Sequence, residues 1–381
     1  MTALTAVDVR RIGVELGFDA VGVTDAAPFP ELVEQLHDYE RRGLTGFEER
    51  DVQRRVHPTQ SFPDAQAIVA VAMAYQTASG QAIAKSHPTG RQHGQMSVYV
   101  YGQDYHRVMK ERLATLHERL MEFCGYVFPA HIAVDTSPLV DRRVAERAGI
   151  GWVGKNCMFF VPGYGSYVFL GSLVLGTPVD IEKQDAKVKH EASACHQCTL
   201  CLAACPTGAL LAPGVIDATR CLSYITQMKG VVPREFRRRL GRRVFGCDTC
   251  QWACPENRGV FASKHHEFDP SEELAHPDLI ALLRMTNRSF MRRYGTSAAA
   301  WRGLRTVQRN ALIALGNAEA VEALPEMIPF LTHPRRELRA TTAWALGQFD
   351  ASEARQTLAS RLHEETDEMV LEEIQAALAT P

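Results

Sequence analysis

At 381 residues and 46% hydrophobic content, the chain is long enough for two or three domains with real cores, which excludes a disordered chain or a short disulfide-held one. Its formal net charge of −2 gives no whole-molecule attraction to nucleic acid or to a membrane surface, so such a partner must meet a local patch. Ten cysteines in a long chain whose N-terminus shows no signal-like apolar run point to metal ligands in a reducing, cytoplasmic compartment. In chain order, the first 23 residues read as a helix followed by a strand. Ala67 to Ala74 reads as a strand, Tyr105 to Glu122 as a helix and Ala130 to Val134 as a strand, an alternation that predicts an α/β domain over 1–185. No segment has the character of a membrane span. From Asp185 to Cys195 the chain turns polar, and a loop-like, cysteine-rich module is expected over 186–265. Helical periodicity runs from Leu279 onward, and Asn310 to Gly316 returns 31 residues later as Thr341 to Gly347 (310 to 341), with a fainter copy ending at Ala377 to Ala379. The 266–381 tail therefore reads as an α-solenoid of HEAT-like helix pairs, with an ordinary helical bundle as the alternative.

Cys195, Cys198, Cys201 and Cys205 followed by Pro206 spell C-x2-C-x2-C-x3-C-P, the bacterial ferredoxin spacing for a 4Fe-4S cluster. Cys247, Cys250 and Cys254 with Pro255 repeat its last three positions, but Val244 stands where a first cysteine would be, so Cys221 is expected to fill the gap. Cys195, Cys198, Cys201 and Cys254 are assigned to one cluster, and Cys205, Cys221, Cys247 and Cys250 to the other. Zinc is the competing reading, disfavoured by two C-x3-C-P endings.

Gly149 to Gly154 fits G-x-G-x-x-G, and Lys155 nearly completes a phosphate-binding loop, but a helix-like run precedes the motif, a strand-like one follows, and Asn156 replaces the Ser or Thr. A nucleotide is not expected here. Asp104-Tyr105-His106 begins a D-x-H-x-x-G cobalamin-ligating run, yet the glycine position is Met109, so a lower histidine ligand is not supported. Asp135, at the end of a predicted strand, is either a catalytic group or a helix cap. Cys124 and Cys157 read as small buried hydrophobes. Six arginines between Arg234 and Arg243 with a single acid, Glu235, followed by others including Arg284, Arg292 and Arg309, favour an anion-facing surface, with RNA as the polyanion.

These residues resemble the epoxyqueuosine reductase family over nearly the whole length. The resemblance is carried by Val134 to Pro138, Ala148 to Lys155, the two cysteine runs, Arg220 to Tyr224, Gln308 to Ala311 and Ala314 to Asn317. It implies an N-terminal α/β domain holding base-off cob(II)alamin, a ferredoxin-like module with two 4Fe-4S clusters, and a HEAT-like tail. The implied activity is reduction of epoxyqueuosine to queuosine at the tRNA wobble position, with Asp135 as proton donor, its pKa raised by burial against the corrin. Arg55, Asp135, Lys155, Ser223 and Tyr224 would touch cobalamin, and Arg237, Arg238, Arg239 and Arg309 would hold the tRNA anticodon arm. The implied protein is a monomer served by an external low-potential electron donor. Tyr99-Val100-Tyr101-Gly102 departs from the family's usual Tyr-Ala-Arg-Gly, and Cys157 stands where a threonine is usual. The rival readings are a corrinoid, dehalogenase-like reductase of a small molecule, and a non-enzymatic electron-transfer or tRNA-binding module.

Overall fold

The apolar run Ala67–Ala74 forms an interior strand, and all eight of its residues are buried. A strand with no polar alternation must be covered on both faces. In this computed structural model, which describes residues 2–86, 90–181, 195 and 197–379, the strand lies in a four-stranded sheet. The order is Ala20–Asp25, Ala67–Ala74, Val168–Leu175, Ala130–Ala133, and every pairing is antiparallel. One face carries Ile68, Ala70, Ala72 and Val174, which share a core with Val144 of the helix Asp141–Arg147. The other meets the helix Tyr105–Cys124, which Asp104 caps at its start and Gly125, at φ 74°, ends. Gly171 is needed at this contact, because a Cβ there would sit 2.8 Å from Met109 Cε. The polar stretch expected from Asp185 to Cys195 lies, apart from Cys195, outside the described residues.

The chain divides into two compact units. One comprises 1–78, 103–219 and 249–268, and the other 79–102, 220–248 and 269–381. This cuts across the three consecutive segments read from the sequence. The reason is that Gln95–Met96 pairs in parallel with Arg243–Phe245, which draws an early segment into the later unit.

Within the second unit, the helices Leu304–Ala318, Arg336–Leu346 and Glu368–Ala379 pack in succession. The repeated glycines explain how: a Cβ on Gly316 would lie 3.0 Å from Ala345 Cα, and one on Gly347 2.5 Å from Ala377 Cβ. Buried polar side chains tie this stack to its surroundings. Asn310 Nδ2 donates to the carbonyls of Thr226 and Val244, each at 2.7 Å, and Gln308 Nε2 to that of Leu283 at 2.9 Å. Among the described residues, no helix is long and apolar enough to cross a membrane.

Candidate active site

Where the strand Ala130–Ala133 ends, the buried Val134 is followed by Asp135 in the left-handed region, φ 55°. For a residue with a Cβ this conformation costs roughly 1–2 kcal/mol, and aspartate is among the types that tolerate it. Asp135 does not cap the following helix, Asp141–Arg147, whose N-cap is Val140. Its side chain is 65% exposed. Tyr105 Oη donates to Asp135 Oδ2 at 2.9 Å, and His106 Nε2 stands 3.5 Å from the same oxygen. The opposite ring nitrogen, His106 Nδ1, lies 2.7 Å from Asp104 Oδ1. Tyr105 stacks between His106 and Phe169, with centroids 4.0 and 4.2 Å apart.

This arrangement sets the charges. Partial burial works against an imidazolium, but Asp104 and Asp135 outweigh it and push His106 up to about 9. The hydrogen bond from His106 is the main reason the Asp135 carboxyl falls below its ordinary value, with Tyr105 adding to it. Among the protein's own groups Asp135 is thus held as a carboxylate, and the side chain that carries a proton at neutral pH is His106. Close by, burial and then the charge of Asp135 push Asp141 up to about 7. Asp141 Oδ1 is buried without a hydrogen-bond partner.

Arg55 and Arg142 line an adjoining cavity of about 330 Å³ together with Tyr39, Asn156 and Cys157. Desolvation lowers the Arg55 pKa. Arg142 donates to the carbonyl of Cys157, a buried residue at φ 62°. As expected, Cys157 and Cys124 are both buried.

Cys195, Cys198, Cys201 and Cys254 line one cavity with Lys155 and Asn156. These are the four cysteines grouped together by the spacing argument. Lys155 Nζ donates to the Cys198 carbonyl at 3.1 Å, and Asn156 Nδ2 to that of Cys250 at 3.5 Å. Cys205 and Cys250 pack with Cys201 around Leu210. In the second unit, Cys221 caps the helix Leu222–Gln227, which carries Ser223 and Tyr224, and Cys247 packs against the same apolar cluster. The G-x-G-x-x-G run enters a hairpin of Trp152–Val153 with Phe159–Phe160, and a Cβ on Gly151 would lie 1.9 Å from the Phe160 carbonyl oxygen. Its glycines serve that close approach, in keeping with the reading against a nucleotide.

Three family models match: "Epoxyqueuosine reductase QueG, DUF1730" over residues 55–136, "4Fe-4S double cluster binding domain" over 194–257 and "HEAT repeats" over 303–379. The epoxyqueuosine reductase of Bacillus cereus is 38% identical over 373 residues, covering 97% of this chain and 96% of the relative. That of Bacillus subtilis is 40% identical, covering 95% and 92%. The chain belongs to the epoxyqueuosine reductase family. The Escherichia coli epoxyqueuosine reductase is more distant, at 32% identity over 89% of this chain and 88% of its own. A crystal structure of an epoxyqueuosine reductase with an epoxyqueuosine-modified tRNA-Tyr stem loop superposes with a TM-score of 0.89 at 38% identity, covering 98% and 97%. A Bacillus subtilis epoxyqueuosine reductase with its catalytic aspartate loop swung out of the active site gives 0.87 at 37% identity, with 98% and 97% covered.

Epoxyqueuosine reductases act on RNA, and two of the arginines expected to hold it in this family member are buried instead. Arg237 is 2% exposed, pairs with Glu373 through both Nη atoms at 2.9 and 2.8 Å, and donates from Nε to the Val232 carbonyl. Arg309, also 2% exposed, donates to the carbonyls of Ile225, Met228 and Gly230. Neither faces a phosphate, because each is saturated by partners within the second unit. Arg238 and Arg239 are exposed. The partnership of Asp135 with Tyr105 and His106 was missed from sequence, as was the placing of Asp141 close to it. The available signal was Asp104-x-His106 at a helix start, a pairing that lets one carboxylate orient an imidazole.

Proposed function

We propose that the chain reduces epoxyqueuosine to queuosine in the anticodon arm of tRNA, with Asp135 as the group that protonates oxygen. The reaction converts an epoxide to an alkene: two electrons and two protons enter, both carbon–oxygen bonds break, and the oxygen leaves as water. What carries the reading is Asp135, an exposed carboxylate held in a left-handed strand-end turn and bridged by Tyr105 and His106, in a chain of this family. An acid so placed reaches an oxygen that a buried cap could not. The two clusters supply electrons one at a time. Their expected holders are Cys195, Cys198, Cys201 and Cys254 for one, and Cys205, Cys221, Cys247 and Cys250 for the other. The shared cavity of the first four supports that grouping.

The donor set near Asp135 suits cobalamin. The unpartnered Asp141 Oδ1 and the desolvated Arg55 guanidinium match the amide N–H and C=O groups on a corrin rim. Arg55, Asp135, Lys155, Ser223 and Tyr224 are the residues proposed to hold it, with Lys155 on the side of the cysteine cavity. When bound, this cofactor supplies a low-valent cobalt able to reduce the substrate. The chain itself orients Asp135, keeps it supplied with protons and presents arginines to the RNA. An external low-potential donor, a monomeric state and a cytoplasmic setting complete the proposal.

Anaerobic reconstitution with iron, sulfide and cobalamin, followed by nucleoside mass spectrometry of epoxyqueuosine-bearing tRNA, tests it. Queuosine is expected, with about eight irons per chain. Asp135→Asn keeps a residue type that tolerates the left-handed backbone, so it should remove the acid alone and slow turnover by about 10²–10⁴-fold. Full turnover by that variant would remove Asp135 from the role.

A further inference from the structure

Asp135 delivers protons at an exposed position, yet in the free protein it is held as a carboxylate. Something must reload it. We infer that His106, oriented by Asp104, is the proton reservoir of the site, passing its Nε2 proton to Asp135 before each of the two protonations of the departing oxygen. The inference rests on the reading of Asp135 as proton donor.

The geometry supports a relay in one direction. Asp104 Oδ1 takes the Nδ1–H at 2.7 Å, which fixes the ring and leaves Nε2 aimed at Asp135 Oδ2, 3.5 Å away. Stacking on Tyr105, itself backed by Phe169, limits ring rotation. A carboxylate behind an imidazole stabilises the charged ring and selects the nitrogen that works, as in acyl-transfer triads. The groups facing His106 are Asp104 and Tyr105 from its own helix start, Asp135 from the strand end, and the uncharged Phe169 beyond Tyr105. None of them is a cation. The simpler account is that Asp104 only caps the helix, since it also accepts from the His106 backbone N–H at 3.0 Å. That account gives no reason for the second ring nitrogen to point at the exposed Asp135.

The protons balance. His106 first passes its Nε2 proton to the Asp135 carboxylate and regains one from solvent, and Asp135 gives the proton it received to the epoxide oxygen as the first carbon–oxygen bond breaks. The His106 Nε2–H bond then breaks, and its proton passes to Asp135 Oδ2. Asp135 delivers it to the hydroxyl, which leaves as water with the second bond. His106, now neutral, takes a proton from solvent, and the two electrons come from the clusters.

The test uses the anaerobic holoenzyme on an epoxyqueuosine-bearing tRNA stem loop, with kcat followed from pH 6 to 10.5. Because His106 is charged below about 9, activity should hold to that region and fall as pH rises through it. Asp104→Asn preserves the cap, since Asn and Asp cap equally well, but removes the charge. It should move the alkaline limb toward acid by about one unit or more with KM unchanged. His106→Gln should lower kcat at least about tenfold and abolish that limb. Independently of turnover, NMR of 13C-histidine-labelled holoenzyme, with His106 assigned by its loss in His106→Gln, should show the ring titrating near 9, and lower in Asp104→Asn. A ring titrating at the ordinary value of about 6.5, or an alkaline limb unmoved by Asp104→Asn, overturns the inference. An inactive holoenzyme in which the ring still titrates near 9 would instead count against the reading of Asp135.

Discussion

A carboxyl group that keeps its proton to near neutrality in the folded state weakens the fold above its unfolded pKa, and Asp141 is placed to do so. Burial and the neighbouring Asp135 raise it to about 7, against an unfolded value of about 3.9. Between those values the folded chain holds a proton that the unfolded chain has lost, so stability falls as pH rises and levels off only above about 7. Asp141→Asn removes this term. Its thermal midpoint should match the wild type near pH 4 and exceed it increasingly toward pH 8; a constant difference across that range would mean that Asp141 is not shifted. Little of this was legible in the sequence. Asp135 was visible as a strand-end acid, but His106 is far from it along the chain, and only the sheet brings them together. The direction of its pKa depends on that meeting, which composition and spacing do not contain.

Elements were more legible where one physical cause dominates. Ala67–Ala74 is apolar throughout and is a strand over those same residues, while the helix predicted from Tyr105 to Glu122 runs on to Cys124, where Gly125 ends it. The helical repeat was visible because close packing demands small residues at a fixed period, and Gly316 and Gly347 meet Ala345 and Ala377. The arginine run misled because exposure depends on distant partners. Arg237 is covered by Glu373, which lies in the final helix. The glycine contacts make a prediction at this scale. Gly347→Val places a branched side chain where even a Cβ would be 2.5 Å from Ala377 Cβ, and forcing the helices apart should cost about 1–3 kcal/mol in denaturant unfolding. Gly316→Ala, with contacts of 3.0 and 3.1 Å, should cost less. If both variants unfold with the wild type, the repeat packing is looser than these distances require.

For the molecule as a whole, a net charge of −2 means that affinity for a tRNA polyanion must come from a few local cations, and the structure separates arginines able to serve from those that hold the fold. Arg238 and Arg239 are exposed on the helix Arg234–Leu240, whereas Arg237 on the same helix is buried against Glu373. Substitution should therefore divide one helix into two behaviours. Replacing Arg238 and Arg239 together by glutamine should weaken stem-loop binding and reduce the salt dependence by about 1.5 in log–log slope, as expected for two lost phosphate contacts, while leaving the melting temperature unchanged. Arg237→Gln leaves the buried Glu373 carboxylate to Arg234 alone, which donates to its Oε1 at 3.0 Å, a loss of up to about 3–5 kcal/mol that should appear in melting. Binding measured from about 50 to 200 mM salt beside thermal melts distinguishes the two. An unchanged slope in the double variant would place the RNA on other cations, and an unchanged melting temperature in Arg237→Gln would mean that its pair with Glu373 contributes nothing to the fold.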